Sequence, residues 1–211
     1  MIKGAIFDFD GTLVDSMFIW DTFGEEYLRT LGKEPKENLT ETFKTFTLEQ
    51  AAEYYREHYC VTLSVEEIVD DVNEMVAEIY RTKVTLKDGV RAFLEGLRAQ
   101  GVKMCVATVT DRAIVEDVLV SLGIRDFFVE ILTCAELGCN KETPHIYRAA
   151  LEVLGTKKDE TVVFEDTLHA LITAKKDGFK VAAVYDRHER HQTQMKENGD
   201  HYITNYETAK I

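Results

Sequence analysis

Proline is nearly absent: Pro35 and Pro144 are the two in a chain of 211 residues. Pro35 falls between two segments of helical spacing and marks a break between them. No apolar run reaches the roughly 18 residues that would span a bilayer. The opening residues show neither the basic region nor the cleavage site of a secretory leader, so a cytoplasmic protein without membrane contact is expected. Positive charge is scarce, with 25 Lys and Arg against 38 Asp and Glu for a net charge of −13. That balance repels phosphodiester backbones and leaves no basic stripe for nucleic acid. A small anionic substrate would need positive charge concentrated locally. The four cysteines (Cys60, Cys105, Cys134, Cys139) have neither CxxC spacing nor His partners of zinc type, and are expected as reduced thiols, mostly in the core. Repeats and low-complexity tracts are absent too, and nothing in the pattern marks an oligomeric state.

What is present is alternation. Short, continuous apolar runs recur at "KGAIF", "KMCVAT", "VEILT", "TVVF" and "KVAAVY", as in strands buried on both faces. Between them lie segments of helical spacing, "GVRAFLEGLRAQG", "DRAIVEDVLVSLG", "PHIYRAALEVLG" and "TLHALITAKKDGF", several closing on a glycine suited to a C-cap. The expected fold is α/β, a Rossmann-like parallel sheet covered on both faces. From about Asp15 to Val84 the rhythm changes to helices alone. Ile19, Trp20, Phe23, Tyr27 and Leu31 form one stripe, "TLEQAAEYYREHY" a second helix, and Ser64 with Glu67 opens a third by a capping box. This predicts an inserted all-helical cap over 15–84, with the core formed by 1–14 and 85–211.

In an open parallel sheet, ligands sit beyond the carboxyl ends of the strands. Asp8 and Asp10 close the first run, "AIFDFDGTLVDS", where a period of two sends both carboxylates to one side and Phe7 and Phe9 to the other. The alternative, an Asp10-Gly11 hairpin turn, needs a second strand, and "LVDSMFIWDTFGEEYL" has helical spacing instead. Two carboxylates pressed together repel, and one is forced to protonate unless a cation offsets the charge. Magnesium fits, because it takes carboxylate, water and phosphate oxygens. Asp8 can then attack as a nucleophile, with Asp10 as general acid and base.

The other strand ends add candidates. In "CVATVTDR" the Thr108 hydroxyl and the Val109 amide could hold a phosphate oxygen at a helix N-terminus; the alternative is a plain strand-end hydroxyl, with Thr110 or Asp111 as a helix cap. In "GCNKETPHIY", Lys141 supplies the cation a phosphoryl group needs among aspartates, against the alternative of a solvated surface lysine. "VVFEDTLHA" carries Glu165 and Asp166, which would complete an oxygen-rich magnesium site, Asp166 directly and Glu165 directly or through water. The alternative for Asp166 is a simple N-cap. All these residues fall on one edge of one sheet, which favours a joint site.

The set resembles the haloacid dehalogenase superfamily, in its subfamily I branch of phosphatases and phosphomutases with a helical C1 cap. The motifs read "DFDGTLVDS" at 8–16, "VATVTDR" at 106–112, "NKETP" at 140–144 and "VVFEDT" at 162–167. The resemblance implies an aspartyl-phosphate on Asp8, with Asp10 protonating the leaving alcohol and then activating water. It implies phosphoryl oxygens held by Thr108 and Lys141. Magnesium would be bound by the Asp8 carboxylate, the Asp10 main-chain carbonyl and the Glu165-Asp166 pair.

The departures from the family pattern are specific. Glu142 stands where proline is usual, which touches loop stiffness. "TLHALITA" lacks the usual glycine, and His169 is expected at the surface. The beta-phosphoglucomutase type carries a cap histidine and a cap arginine; their places fall here on Trp20 and on Leu48 or a neighbour in "FKTFTLEQ". Without that arginine a sugar bisphosphate is hard to hold in both orientations, Lys44 being the nearest substitute. The expected function is therefore a magnesium-dependent phosphatase acting on a small phosphorylated metabolite. The alternatives are a sugar-phosphate mutase of the beta-phosphoglucomutase type and a catalytically idle binding protein on the same fold. Trp20 is expected in the cap core, Tyr54, Tyr55 and Tyr59 as packing residues, and His188 and His191 as solvated.

Overall fold

The computed structural model of the chain describes residues 2–37, 39–43 and 46–211, and of Thr40 and Glu41 the backbone alone. The chain divides into two compact units, Met1–Ser16 with Val84–Ile211, and Met17–Lys83.

The strands are β1 (Gly4–Phe7), β2 (Val14–Asp15), β3 (Thr85–Leu86), β4 (Lys103–Thr108), β5 (Phe128–Thr133), β6 (Thr161–Glu165), β7 (Lys180–Val184) and β8 (His201–Ile203). Among the described residues, six of them form one parallel sheet in the order β5-β4-β1-β6-β7-β8. β1 is central, and the chain builds outward first on one side of it and then on the other. The α/β class and the five apolar strands are as the sequence pattern predicts. The sixth strand, "HYI", is too short to show a period. β2 and β3, two residues each, form an antiparallel ribbon that pairs the segments flanking the helical insertion, Val14 with Leu86 and Asp15 with Thr85.

The helices are α1 (Ile19–Thr30), α2 (Leu39–Phe43), α3 (Leu48–Tyr59), α4 (Val65–Thr82), α5 (Val90–Ala99), α6 (Arg112–Ser121), α7 (Cys134–Leu137), α8 (His145–Leu154), α9 (Leu168–Lys176) and α10 (Gln192–Asn198). Alternating residues of β1 serve opposite faces of the sheet. Ile6 joins Cys105, Val163 and Val181 in a core that takes in Ile146 and Ala150 of α8 and Leu171 of α9. Phe7 goes the other way, stacked on Phe164 at 4.2 Å and edge-on to Phe93 of α5 at 6.5 Å. All but the half-buried Phe93 are buried, and at about 1.5–3 kcal/mol for each fully buried large apolar side chain they hold the sheet rigid beneath its acidic edge.

A charged clasp secures α9. Asp177 at its C-terminal end accepts from the Arg148 guanidinium, with Nε at 3.0 Å, and from Lys158 Nζ at 2.7 Å. Arg148 foremost holds the carboxyl down at about 2. A carboxylate with a lowered folded-state pKa stabilises fully above its unfolded value near 4, and the contribution is lost as pH falls toward 2. We expect Asp177→Asn to cost about 1–2 kcal/mol at pH 7, since Arg148 is water-exposed and the pair is screened. The deficit relative to wild type should shrink severalfold in unfolding curves taken near pH 2, where the carboxyl is half protonated, and go on falling below it; a deficit constant from pH 2 to pH 7 would overturn this account.

The second unit is helical, and its amphipathic spacing is plain. Ile68, Val72, Val76, Ile79 and Tyr80 of α4 are buried at helical intervals. The predicted capping box, Ser64 with Glu67, opens α4, and a second, Thr47 with Gln50, opens α3. Tyr55 and Tyr59 pack as expected. Trp20 corrects the expectation of a core residue: it is 49% exposed, while Ile19, Phe23, Tyr27 and Leu28 fill the buried stripe of α1. It lines, with Phe23, Phe43, Phe46 and Leu48, an apolar cleft of about 370 Å³ within this unit. Lys44 lies outside the described residues. Among the described residues no helix is long and apolar enough to cross a membrane.

Candidate active site

Asp8 is the first residue past β1, and its backbone N–H donates to Phe164 O at 3.0 Å, so the nucleophile candidate is fixed beside β6. Its side chain is buried and hydrogen-bonds Lys141 Nζ. The same ammonium donates to Glu165 Oε1 at 2.8 Å. Lys141 is therefore a buried cation between two carboxylates, and the reading of it as a solvated surface lysine falls away. Pro144 precedes α8 directly, where its missing N–H costs no helical hydrogen bond.

Asp8, Glu165 and Asp166 each bring one carboxylate oxygen to within 4.8 Å of the others, and all three are buried. Burial, only partly offset by Lys141, pushes the Asp8 carboxyl up to about 7. Burial and the neighbouring Asp8 and Glu165 raise Asp166 as well. Burial opposes the charged form of Lys141, but Asp8 and Glu165 outweigh it and its pKa rises. One ammonium does not satisfy three buried carboxylates. A donor set of oxygens alone, short of positive charge, fits a hard divalent cation such as magnesium.

Asp10 stands apart from that trio. Its carboxylate accepts from the Ser16 hydroxyl at 2.6 Å and the Thr110 hydroxyl at 2.5 Å. The turn that follows needs Gly11, whose φ of 68° lies in the left-handed region that side chains disfavour. Thr108, fully buried, uses its oxygen to accept the Thr110 N–H at 3.0 Å, which leaves the hydroxyl proton free to point elsewhere. Val109 is 60% exposed. The helix cap at this strand end is Asp111, which accepts from Ala113 N at 2.8 Å, and α6 begins at the next residue.

Sequence reasoning missed several partners. Tyr147 of α8 donates to Glu165 Oε1 at 2.7 Å; in the sequence it reads as one more core position of that helix, its polar tip being the one available signal. Ser16 and Thr110 carry hydroxyls that the motifs contain but that spacing assigned to no partner. His169 is exposed, as expected. His188 corrects the expectation of a solvated ring: it is half-buried, its Nδ1 at 2.8 Å from Asp186 Oδ1. His191 remains exposed.

A parallel sheet that carries acidic residues beyond its central strand, with a helical unit inserted after that strand, defines a class of hydrolase. Residues 5–184 match the family described as haloacid dehalogenase-like hydrolase, and the chain belongs to it. YhcW of Bacillus subtilis (strain 168), assigned as a phosphatase, is 30% identical over 189 residues, covering 87% of this chain and 84% of that protein. Hexitol phosphatase B of Escherichia coli (strain K12) is 26% identical over 176 residues, covering 82% and 79%. A Thermotoga maritima crystal structure assigned as a beta-phosphoglucomutase superposes with a TM-score of 0.85 at 23% identity, covering 98% of this chain and 95% of that one; the likeness is one of fold.

Proposed function

We propose that the chain is a phosphoric monoester hydrolase: a magnesium-dependent, cytoplasmic phosphatase that acts on a small phosphorylated metabolite through an aspartyl-phosphate on Asp8, its helical unit serving as the specificity cap. The observation that carries this reading is the buried cluster at the end of β1, where Asp8 touches Lys141 and shares an oxygen-only neighbourhood with Glu165 and Asp166.

Asp8, Asp166 and Glu165 are the side chains that would hold magnesium, with the Asp10 carbonyl. The ion when bound offsets charge on the carboxylates and on the phosphoryl oxygens, so that the two anions can meet. Lys141 then releases Asp8 in part and binds a phosphoryl oxygen, beside the Thr108 hydroxyl and the Val109 amide. An Asp8 oxygen bonds to phosphorus as the bond to the leaving oxygen breaks, and Asp10 delivers its proton to that oxygen. Asp10, now a carboxylate, takes a proton from water; the water oxygen bonds to phosphorus, the Asp8–phosphorus bond breaks, and inorganic phosphate leaves. Ser16 and Thr110 keep Asp10 aimed in both halves.

The test is phosphate release from a panel of sugar, polyol and glycolytic phosphates, with magnesium, with a chelator, and with magnesium restored. Turnover of at least one monoester is expected, lost by at least about 100-fold on chelation and regained on restoration. Full activity in excess chelator would overturn the metal assignment, and no release from any monoester would overturn the phosphatase reading.

A further inference from the structure

The turn that carries Asp10 is held from outside by two residues that neither motif nor spacing singles out. Within the turn, Gly11 N–H donates to Val14 O at 3.0 Å and Leu13 N–H to Phe9 O at 2.9 Å, so it closes on itself. Its three successive carbonyls, of Gly11, Thr12 and Leu13, face away from those bonds. Each meets a donor from a distant part of the chain. Lys87 Nζ donates to Gly11 O, the Tyr206 hydroxyl to Thr12 O at 3.1 Å, and the Lys87 backbone N–H to Leu13 O at 3.0 Å.

Lys87 is the residue directly after β3. Its ammonium also donates to Tyr185 O at 2.8 Å and to Asp186 Oδ2 at 2.7 Å. Three donors on an ammonium are thereby matched by three acceptors. Asp186 is buried, and its second oxygen accepts from the His188 N–H at 2.9 Å. An ammonium so fully used is a poor ligand for a substrate phosphate and a good fastener for a backbone. Gly89 makes the arrangement possible: its φ is 81°, and a Cβ there would lie 2.3 Å from Glu207 N, so glycine lets the Tyr206–Thr208 turn close in.

We infer that Lys87, oriented by Asp186, is a positioning residue for the phosphatase reaction: by gripping Gly11 O and Leu13 O it fixes the turn from which Asp10 serves as general acid. The inference rests on the role given to Asp10 above. Displacement of a catalytic group by about 1 Å can cost on the order of 100-fold, and loss of general acid catalysis a similar factor or more.

The experiment compares two aryl monoesters of nearly the same shape, phenyl phosphate and p-nitrophenyl phosphate, with magnesium present. Phenol, with a pKa of about 10, needs a proton to leave; nitrophenol is far more acidic and does not. In Lys87→Met, kcat/KM, which reports the steps through departure of the leaving group and not the later hydrolysis at Asp8 that both esters share, should fall about 30- to 100-fold for phenyl phosphate and by no more than about 5-fold for p-nitrophenyl phosphate. The ratio of the two kcat/KM values does not depend on how much of a preparation is folded. Should Lys87→Met fail to accumulate, Asp186→Asn is read the same way: the carboxamide weakens the hold on the ammonium, and the ratio should shift severalfold in the same direction. Lys87→Arg, which keeps the charge opposite Asp186, should lie nearer wild type. A purely structural lysine would lower both kcat/KM values by one factor, and that equal loss, or no loss, overturns the inference. If wild type hydrolyses neither ester but turns over a monoester of the panel above, Lys87→Met is read on that monoester, where kcat/KM per folded protein should fall about 30- to 100-fold with Lys87→Arg nearer wild type, and an unchanged value overturns the inference; if it hydrolyses no monoester at all, the phosphatase reading has failed and this inference falls with it; if wild type hydrolyses both esters and Asp8→Asn neither, the fate of Lys87 is decided by the ratio alone.

Discussion

Asp8→Asn should lose phosphate release by at least about 10⁴-fold, the scale seen when a nucleophile is removed and only binding and electrostatic help remain. A carboxamide has no anionic oxygen to bond to phosphorus, so the loss should appear in kcat for every substrate and at every magnesium concentration. Folding should survive. Asp8 is one of three buried carboxylates that share a single ammonium, and removing one negative charge from that group relieves repulsion while leaving an amide oxygen for Lys141 to donate to. Inorganic phosphate release and a thermal melt on the same preparation check both halves. A variant that keeps a tenth of wild-type turnover would show that Asp8 does not accept the phosphoryl group.

The second large effect is expected at Lys141, and here stability and catalysis should move together. Lys141→Met removes the cation from Asp8 and Glu165 but leaves the carboxylates buried. Breaking a buried ion pair by removing one partner costs about 3–5 kcal/mol, because the charge left behind has neither water nor a counter-ion. In magnesium-free buffer the variant should therefore unfold well below wild type. Added magnesium should recover part of the loss if the three carboxylates bind it. On the proposed mechanism turnover should drop by roughly 10²- to 10³-fold even in saturating magnesium, since a phosphoryl oxygen would lose its protein cation. The double variant Asp8→Asn with Lys141→Met should be less destabilised than the sum of the two, because each change removes part of what the other leaves uncompensated. An Lys141→Met protein as stable as wild type without magnesium would contradict the buried pairing.

How much of this was legible before folding can be traced residue by residue. The acidic pairs at 8 and 10 and at 165 and 166 could be read because each follows an apolar run directly, and a parallel sheet delivers every such run end to the same edge. Lys141 could be proposed but not placed: in sequence it is one lysine ahead of a proline, and its burial between Asp8 and Glu165 depends on where α8 packs. Tyr147 was hidden for the opposite reason, since a tyrosine on the buried face of a helix looks like core until its hydroxyl meets Glu165. Trp20 misled because helical periodicity assigns a stripe but not its edge; that ring borders the buried face of α1 and stays half exposed.

The amino-acid sequence by itself determined the α/β class, the helical insertion, and which strand ends carry carboxylates, because those follow from periodicity and from chemistry local to a few residues. Tertiary structure alone decided which groups share a proton, a cation or a carbonyl. The hold of Lys87 on the turn at residues 11 and 13, of Tyr206 on Thr12, and of Thr110 on Asp10 join positions about 75 to 190 residues apart. No short pattern encodes such separations, because hydrogen bonds depend on distances of ångströms that exist only once the sheet and its connections are packed.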